Sequence, residues 1–279
     1  MVNRQEGRGM TQENLKDVIL QAKHLVKTYT QRSGRFGFET TQIKALDDVS
    51  VKLKVGSTLA VVGESGSGKS TLARCLLQLH PFDSGEVLFQ GQDLTKLNSE
   101  ALRASRKHLQ MVFQDPFASL NPRMKVGEIV GEGLLIHGLG SVAEQKKQVF
   151  AMLEKVGLSA EDANKYPHQF SGGQRQRIGI ARALVLQPKV VVCDEPVSAL
   201  DVSVQAQILL LLKQLQKEMG LSYLFITHDL RVVRHIADEV VVMNKGKIVE
   251  QGTVDDIFRN PQAAYTQQLL NAIPGRKAA

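Results

Sequence analysis

Residues 59–70 read Leu-Ala-Val-Val-Gly-Glu-Ser-Gly-Ser-Gly-Lys-Ser, which is a short apolar run followed by a glycine-rich turn. A helical pattern from Lys69 to Leu79 comes next, so the order is strand, loop and helix. Continuous apolar runs of this length are typical of strands buried on both faces of a parallel sheet. The stretch therefore predicts an α/β core in which a loop joins a buried strand to a helix.

The turn fits the pattern G-x-x-x-x-G-K-[ST] of a phosphate-binding loop, in the strand-to-helix context that this motif requires. Its glycines let backbone N–H groups surround a phosphate, and the start of the helix adds a positive dipole end. We expect Lys69 to reach the β and γ oxygens of a nucleoside triphosphate and Ser70 to bind Mg²⁺. The expected nucleotide-binding residues are Gly63, Glu64, Ser65, Gly66, Ser67, Gly68, Lys69, Ser70 and Thr71. The alternative is a purely structural glycine-rich turn.

Two further apolar runs end in polar residues. Val190 to Cys193 leads into Asp194 and Glu195, and the run from Tyr223 to Ile226 leads into His228. Such positions line the ligand crevice of open α/β sheets. We expect Asp194 to hold Mg²⁺ through water and Glu195 to orient or deprotonate the attacking water. An acidic pair after a strand is also commonly a helix N-cap, and that interpretation stays open for these two residues alone.

The rest of the chain predicts additions to this core. Alternating β-rich segments from Val18 to Leu53 indicate an antiparallel edge region, with a loop at Gln31 to Thr41. Helical periodicity between Gln114 and Leu186 indicates a helical subdomain inserted in the core. Segments Glu239 to Met243 and Lys247 to Glu250 predict a hairpin. The expected division is a flexible tail (1–17), one nucleotide-binding domain (18–258, helical subdomain about 114–186) and a short C-terminal extension (259–279).

Composition narrows the classes of function. The 279 residues carry a formal net charge of +7, which could indicate binding to nucleic acid, an anionic membrane face or a phosphate-handling surface. The charges form no basic block and no aromatic-interleaved patch, so an ordinary solvated surface is favoured. No apolar run reaches the roughly 20 residues that cross a bilayer. The polar N-terminus lacks a secretory signal, which favours the cytosol. Cys75 and Cys193 lie in apolar stretches and are expected in the core, and the histidines lack metal-ligand spacing.

The sequence Phe170-Ser171-Gly172-Gly173-Gln174 resembles the signature loop of the ABC ATPase family, which is usually LSGGQ. Phe170 replaces the leucine at a packing position. Ser171 could simply cap the following helix, but a hydroxyl and glycine N–H groups at a helix start also form an anion site. In the family this loop faces the γ-phosphate of ATP bound to the partner subunit, so the resemblance implies a dimer that binds ATP and Mg²⁺.

The remaining family motifs follow in order. They are the adenine-stacking aromatic Tyr29, the Q-loop residue Gln114, which would also touch Mg²⁺, the D-loop Ser198, Ala199, Leu200 and Asp201, and the switch histidine His228. Taken singly, each has a structural interpretation: a core or edge aromatic, a surface glutamine, a helix cap and a core histidine. Together they imply a P-loop NTPase of the ABC ATPase type in which Glu195, His228 and Gln114 serve hydrolysis.

Several segments resemble more specifically the oligopeptide, dipeptide and nickel importer ATPases; they are residues 114–123, 166–169, 196–203 and 260–266. This resemblance implies an ATP-hydrolysing motor, peripheral on the cytoplasmic face of the inner membrane. Its partners would be a second copy or a paralogous ATPase, integral-membrane permease subunits and, indirectly, a solute-binding protein. We expect the permease to dock on Phe117 to Met124, where Phe117, Leu120 and Met124, beside Arg123, would form a groove. The alternative is that Phe117 and Leu120 only pack the subdomain.

Two other functions compete with the importer motor. A soluble ABC ATPase acting on nucleic acid or ribosomes would carry tandem ATPase copies, a long coiled-coil insertion or zinc-binding cysteines, and this sequence has none of them. A non-hydrolysing regulatory subunit would be expected to lose Glu195, His228 or the signature glycines, all of which are present. The sequence therefore favours the transporter motor.

Overall fold

The computed structural model describes residues 17–33 and 39–273. Its strands are β1 (Val18–Ser33), β2 (Glu39–Lys54), β3 (Thr58–Val62), β4 (Ser84–Phe89), β5 (Gln92–Asp93), β6 (Leu109–Val112), β7 (Val190–Asp194), β8 (Ser222–Thr227), β9 (Glu239–Asn244) and β10 (Lys247–Thr253). Its helices are α1 (Lys69–Leu76), α2 (Ser99–Arg106), α3 (Pro116–Ser119), α4 (Val126–Ile136), α5 (Val142–Lys155), α6 (Gly172–Leu184), α7 (Val202–Met219), α8 (Leu230–Ile236), α9 (Val254–Arg259) and α10 (Ala264–Asn271). The expected N-terminal tail lies outside the described residues except for Asp17.

The predicted edge region is a four-stranded antiparallel sheet in the order β2-β1-β4-β5. The loop expected at Gln31 to Thr41 is partly wrong, because the β1–β2 pairing continues to Ser33 opposite Glu39. Residues 34–38 lie outside the described part of the chain. The strands run further than expected because each added pair satisfies backbone N–H and C=O groups of both strands.

The second sheet has the order β10-β9-β3-β8-β7-β6, in which all strands but β10 are parallel. Its central strands β3, β7 and β8 are buried at every residue, as their apolar runs predict. Successive side chains point to opposite faces, so Val61 and Leu224 join the core under the antiparallel sheet, whereas Phe225 joins the core under the helices. Burial of each such side chain contributes about 1.5–3 kcal/mol.

The helical insertion lies between β6 and β7, which are neighbours in the parallel sheet. Apolar faces of α4, α5 and α6 meet in one core with residues of α7. Ser141 caps α5, and its hydroxyl accepts a hydrogen bond from the Glu144 N–H. Because β6 and β7 are parallel, the insertion starts at the C-terminal end of β6 and leads back to the N-terminal end of β7, on the opposite side of the sheet.

The C-terminal part packs on the same face of the sheet as the helical core, beside β3 and β9. The predicted hairpin forms between β9 and β10, with Lys245 and Gly246 in the left-handed region at its turn. Side chains of α9 and α10, including Phe258 and Leu270, then bury Val240 and Val242. Within the described residues, no helix combines the length and apolar character needed to cross a bilayer.

Candidate active site

The glycine-rich loop leaves the C-terminal end of β3 and enters α1. A Cβ on Gly63 would lie 2.2 Å from the Met243 carbonyl oxygen, and one on Gly68 would lie 2.3 Å from that of Ala45. Both glycines also have positive φ, at 150° and 104°. Only glycine lets the loop press against β9 and β2 in this conformation. The loop is therefore fixed by the backbone on two sides.

Lys69 begins α1 and turns its side chain back into this loop. Its Nζ donates hydrogen bonds to the Gly63 and Glu64 carbonyl oxygens at 2.8 and 2.7 Å. Burial lowers the pKa of Lys69, while the nearby negative charges of Glu195 and Asp194 oppose that shift. The lysine is thus a buried cationic donor held within the curl of the loop.

Ser70 and Asp194 bring two oxygen ligands together from α1 and β7. The Ser70 hydroxyl donates to Asp194 Oδ1 at 2.9 Å. Burial raises the pKa of Asp194, and the hydrogen bond from Ser70 partly offsets that effect. A hydroxyl beside a carboxylate is the all-oxygen donor set that Mg²⁺ prefers, so the residues present fit that ion.

Glu195 contacts two side chains that follow the C-terminal ends of other strands. Its Oε2 accepts a hydrogen bond from Gln114 Nε2 at 3.2 Å and lies 3.1 Å from His228 Nδ1. The Glu195 backbone has φ of 46°, a left-handed conformation that costs a non-glycine residue about 1–3 kcal/mol. Its N–H donates to the Ile226 carbonyl at 3.0 Å, which holds this conformation. Gln114 and His228 therefore meet at the Glu195 carboxylate, so the three residues predicted to serve hydrolysis lie together.

Apart from the buried Asp194, these groups line one cleft of about 900 Å³. Tyr29 lies in its wall with an exposed ring, and its hydroxyl is 3.2 Å from His80 Nδ1. Among the residues predicted to bind the nucleotide, Ser67 is a buried member of the loop, and the rest line the cleft. Sequence reasoning missed the other lining residues, which are Ile43, Lys44, Ala45, Lys245, Leu269 and Ala272.

The signature loop is not part of this cleft. Ser171 caps α6, because its Oγ accepts from the Gln174 N–H at 3.3 Å while Gln174 Oε1 accepts from the Ser171 N–H at 3.0 Å. Ser171 is exposed, and Phe170 is buried in the core as a packing residue. The structural interpretation of Ser171 as a cap is therefore correct, and its hydroxyl still faces solvent.

The D-loop residues lie beside the signature loop. Asp201 caps α7 by accepting a hydrogen bond from the Val204 N–H at 2.9 Å, and this bond holds the pKa of Asp201 below its usual value. A Cβ on Gly172 would lie 3.6 Å from Leu200. Ser198 and Ala199 are exposed. The two motifs thus share a surface outside the cleft.

Comparison with known proteins agrees with this geometry. Residues 46–198 match the family model described as ABC transporter. The dipeptide transport ATP-binding protein of Escherichia coli (strain K12) is 55% identical over 95% of this chain and 79% of its own length. The oligopeptide transport ATP-binding protein of Bacillus subtilis (strain 168) is 50% identical over 95% of this chain and 80% of its own length.

Solved structures give the same result. A dimeric, post-hydrolysis ATP-binding cassette bound to ADP and phosphate superposes with a TM-score of 0.74 at 31% identity, covering 85% of this chain and 99% of that one. Family model, relatives and fold agree on an ATP-binding cassette. The chain therefore belongs to the ABC transporter family, as an ATP-binding and ATP-hydrolysing subunit.

Proposed function

We propose that this chain is the motor subunit of an importer for short peptides or a similarly small solute such as a nickel complex. Two chains would sandwich two ATP molecules, each between one phosphate-binding loop and the partner's signature loop. The observation that carries the proposal is the separation of Lys69, Ser70 and Glu195 in the cleft from an exposed Ser171 outside it. One chain therefore offers two incomplete halves of a site, as a dimeric relative leads us to expect.

In this proposal Lys69 neutralises charge on the β and γ oxygens, and the loop N–H groups hold the β-phosphate. Ser70 and Asp194 would hold Mg²⁺, with Gln114 at its edge; the ion would neutralise charge on the transferred phosphoryl group. Tyr29 offers a ring for adenine in the wall of the cleft. These contacts bind and orient the nucleotide.

Glu195 would orient or deprotonate the attacking water. Its carboxylate now bonds Gln114 and lies against His228, so it has to exchange at least one of these contacts for the water. Gln114 lies just past β6, where the helical insertion begins. A contact between Gln114 and the bound phosphate can therefore change the position of that insertion. This arrangement links hydrolysis to the surface that we assign to the permease.

The permease surface expected from the sequence needs one correction. Leu120 is buried in the helical core at 2% exposure, because it packs with apolar residues of α4 and α6. Phe117 is 57% exposed, and the Arg175 guanidinium lies 4.1 Å from its ring centroid. Met124 lines a separate groove of about 590 Å³ between α4 and α5. We place permease docking on Phe117 and this groove.

The importer assignment rests on the relatives, which are named for dipeptide and oligopeptide transport. We place the chain on the cytoplasmic face of the inner membrane, held there by the permease subunits. Co-purification distinguishes a dimer of two copies of this chain from a dimer of one copy and a paralogue.

The test is solute uptake by cells that lack the gene. Loss of uptake of short peptides or of nickel, restored by the unmutated gene and not by a Glu195→Gln gene, is the expected result. If uptake of both stays unchanged while export of another compound stops, the importer assignment fails and only the ATPase assignment remains.

A further inference from the structure

The C-terminal helix α10 reaches the nucleotide cleft. Glu250 on β10 accepts hydrogen bonds from the Gln262 and Ala263 N–H groups at 2.7 and 3.0 Å, which fixes the chain where the helix starts. Leu270 is completely buried against the sheet. From this anchored position, Leu269 on α10 and Ala272 directly after it lie in the cleft wall.

The same helix bonds the phosphate-binding loop directly. The Glu64 N–H donates a hydrogen bond to the Tyr265 hydroxyl at 3.1 Å. Tyr265 is half-buried, and its ring packs with the apolar residues under α8 and α9. A side chain some two hundred positions along the chain therefore holds the first turn of the loop.

The Glu64 N–H belongs to the same peptide unit as the Gly63 carbonyl, which accepts a hydrogen bond from Lys69. The peptide between Gly63 and Glu64 is planar, so its N–H and C=O point in opposite directions. Its N–H meets Tyr265, and its C=O accepts from Lys69 Nζ at 2.8 Å. Gly63 has no Cβ to oppose rotation of this unit. Fixing one end of the peptide therefore fixes the acceptor at the other end.

We propose that Tyr265 is a positioning residue that orients this peptide and, through it, Lys69 for the triphosphate. The proposal rests on the phosphate-binding role proposed for Lys69. Without the hydroxyl, the Glu64 N–H loses its partner and the peptide can rotate, so Lys69 loses one of its two carbonyl acceptors. Part of the binding free energy of ATP then goes into restoring the loop.

The first experiment compares two hydroxyl deletions in the full chain. Tyr265→Phe keeps the ring in its packing site. Tyr223→Phe is the matched control, because its buried hydroxyl donates to the Leu212 carbonyl at 3.0 Å in the helical core. The dissociation constant for ATP is measured by displacement of a fluorescent N-methylanthraniloyl ATP, and the unfolding temperature by calorimetry.

We expect Tyr265→Phe to raise the Kd for ATP about 2- to 10-fold, the effect of one lost hydrogen bond. Tyr223→Phe should lower the unfolding temperature and leave the Kd unchanged. An unchanged Kd in Tyr265→Phe would overturn the proposal. So would an equal rise in both variants, because the loss of affinity would then follow general destabilisation.

A double-mutant cycle with Lys69→Ala tests whether Tyr265 acts through the lysine. If it does, Tyr265→Phe adds no more than about a twofold change in the Lys69→Ala chain. A full additional loss would show that Tyr265 acts independently and would overturn the proposal. If Lys69→Ala binds ATP as tightly as the unmutated chain, the phosphate-binding role proposed for Lys69 is wrong. The proposal that Tyr265 positions Lys69 for the triphosphate is then wrong as well.

Discussion

Replacing Glu195 with glutamine removes one negative charge and keeps the size of the side chain. The amide oxygen can still accept the hydrogen bond from Gln114 Nε2 that the carboxylate accepts now at 3.2 Å. Lys69, Ser70 and Asp194 keep their contacts. Because Glu195 helps to raise the pKa of Asp194, the change also relieves repulsion around the metal-binding oxygens. ATP and Mg²⁺ binding should therefore survive.

Hydrolysis should not survive at its normal rate. An amide cannot take a proton from the attacking water, and loss of a positioned base slows a reaction by about 10²- to 10⁴-fold. This corresponds to about 3–5 kcal/mol of activation free energy, since each tenfold is worth 1.36 kcal/mol. Because the site binds ATP but turns it over slowly, we expect the ATP-bound dimer to accumulate.

Phosphate release and size-exclusion chromatography with ATP measure the two effects. The matched control is Glu154→Gln, which makes the same chemical change at an exposed position on α5. It should hydrolyse ATP at the unmutated rate and form no stable dimer. A Glu195→Gln chain that releases phosphate within twofold of the unmutated rate would remove Glu195 from its proposed role.

Three further outcomes are expected. Ser171→Arg should abolish hydrolysis and leave monomer ATP binding within about twofold of normal, because the lesion lies in the partner's site. Mixing this variant with a Lys69→Ala chain should restore at most one competent site per dimer, and loss of ATP binding by the Ser171→Arg monomer would contradict the shared site. Phe117→Asp should abolish permease co-purification and transport while isolated ATPase activity survives, and co-purification at the normal level would exclude Phe117 from the docking surface. Binding to DNA should be weak and fall steeply with salt, because contacts to phosphates alone release counterions without reading bases; nanomolar binding at physiological salt would support the nucleic-acid alternative.

Local chemistry was enough to predict the centre of the site. Asp194, Glu195 and His228 each follow a buried apolar run, and parallel strands bring their C-terminal ends to one edge of a sheet. The pairing of Ser70 with Asp194 follows from the same rule. What the sequence lacked was the order of the strands, which determines how closely these ends approach one another.

Residues that depend on tertiary packing could not be predicted in this way. Leu269 lies in the cleft wall and Tyr265 bonds the loop because α10 packs on β9. Tyr265 belongs to the family-like segment 260–266, but that resemblance indicated no contact with the loop. Leu120 resembles an exposed loop residue until α4 and α6 cover it. Apolar character alone does not distinguish a docking surface from a core position, because both place the same side chains on an irregular segment.

The place of β3 in its sheet also affects how the protein is made. Thr58 pairs with Tyr223 on one side and Leu59 with Glu239 on the other, so both neighbours of β3 are encoded about 165 residues or more downstream. A ribosome adds about 5–20 residues per second, which leaves this apolar strand without its native partners for about 10–30 s. During that interval the strand is exposed to chaperones and to other nascent chains, and the nucleotide pocket closes only when synthesis is almost complete.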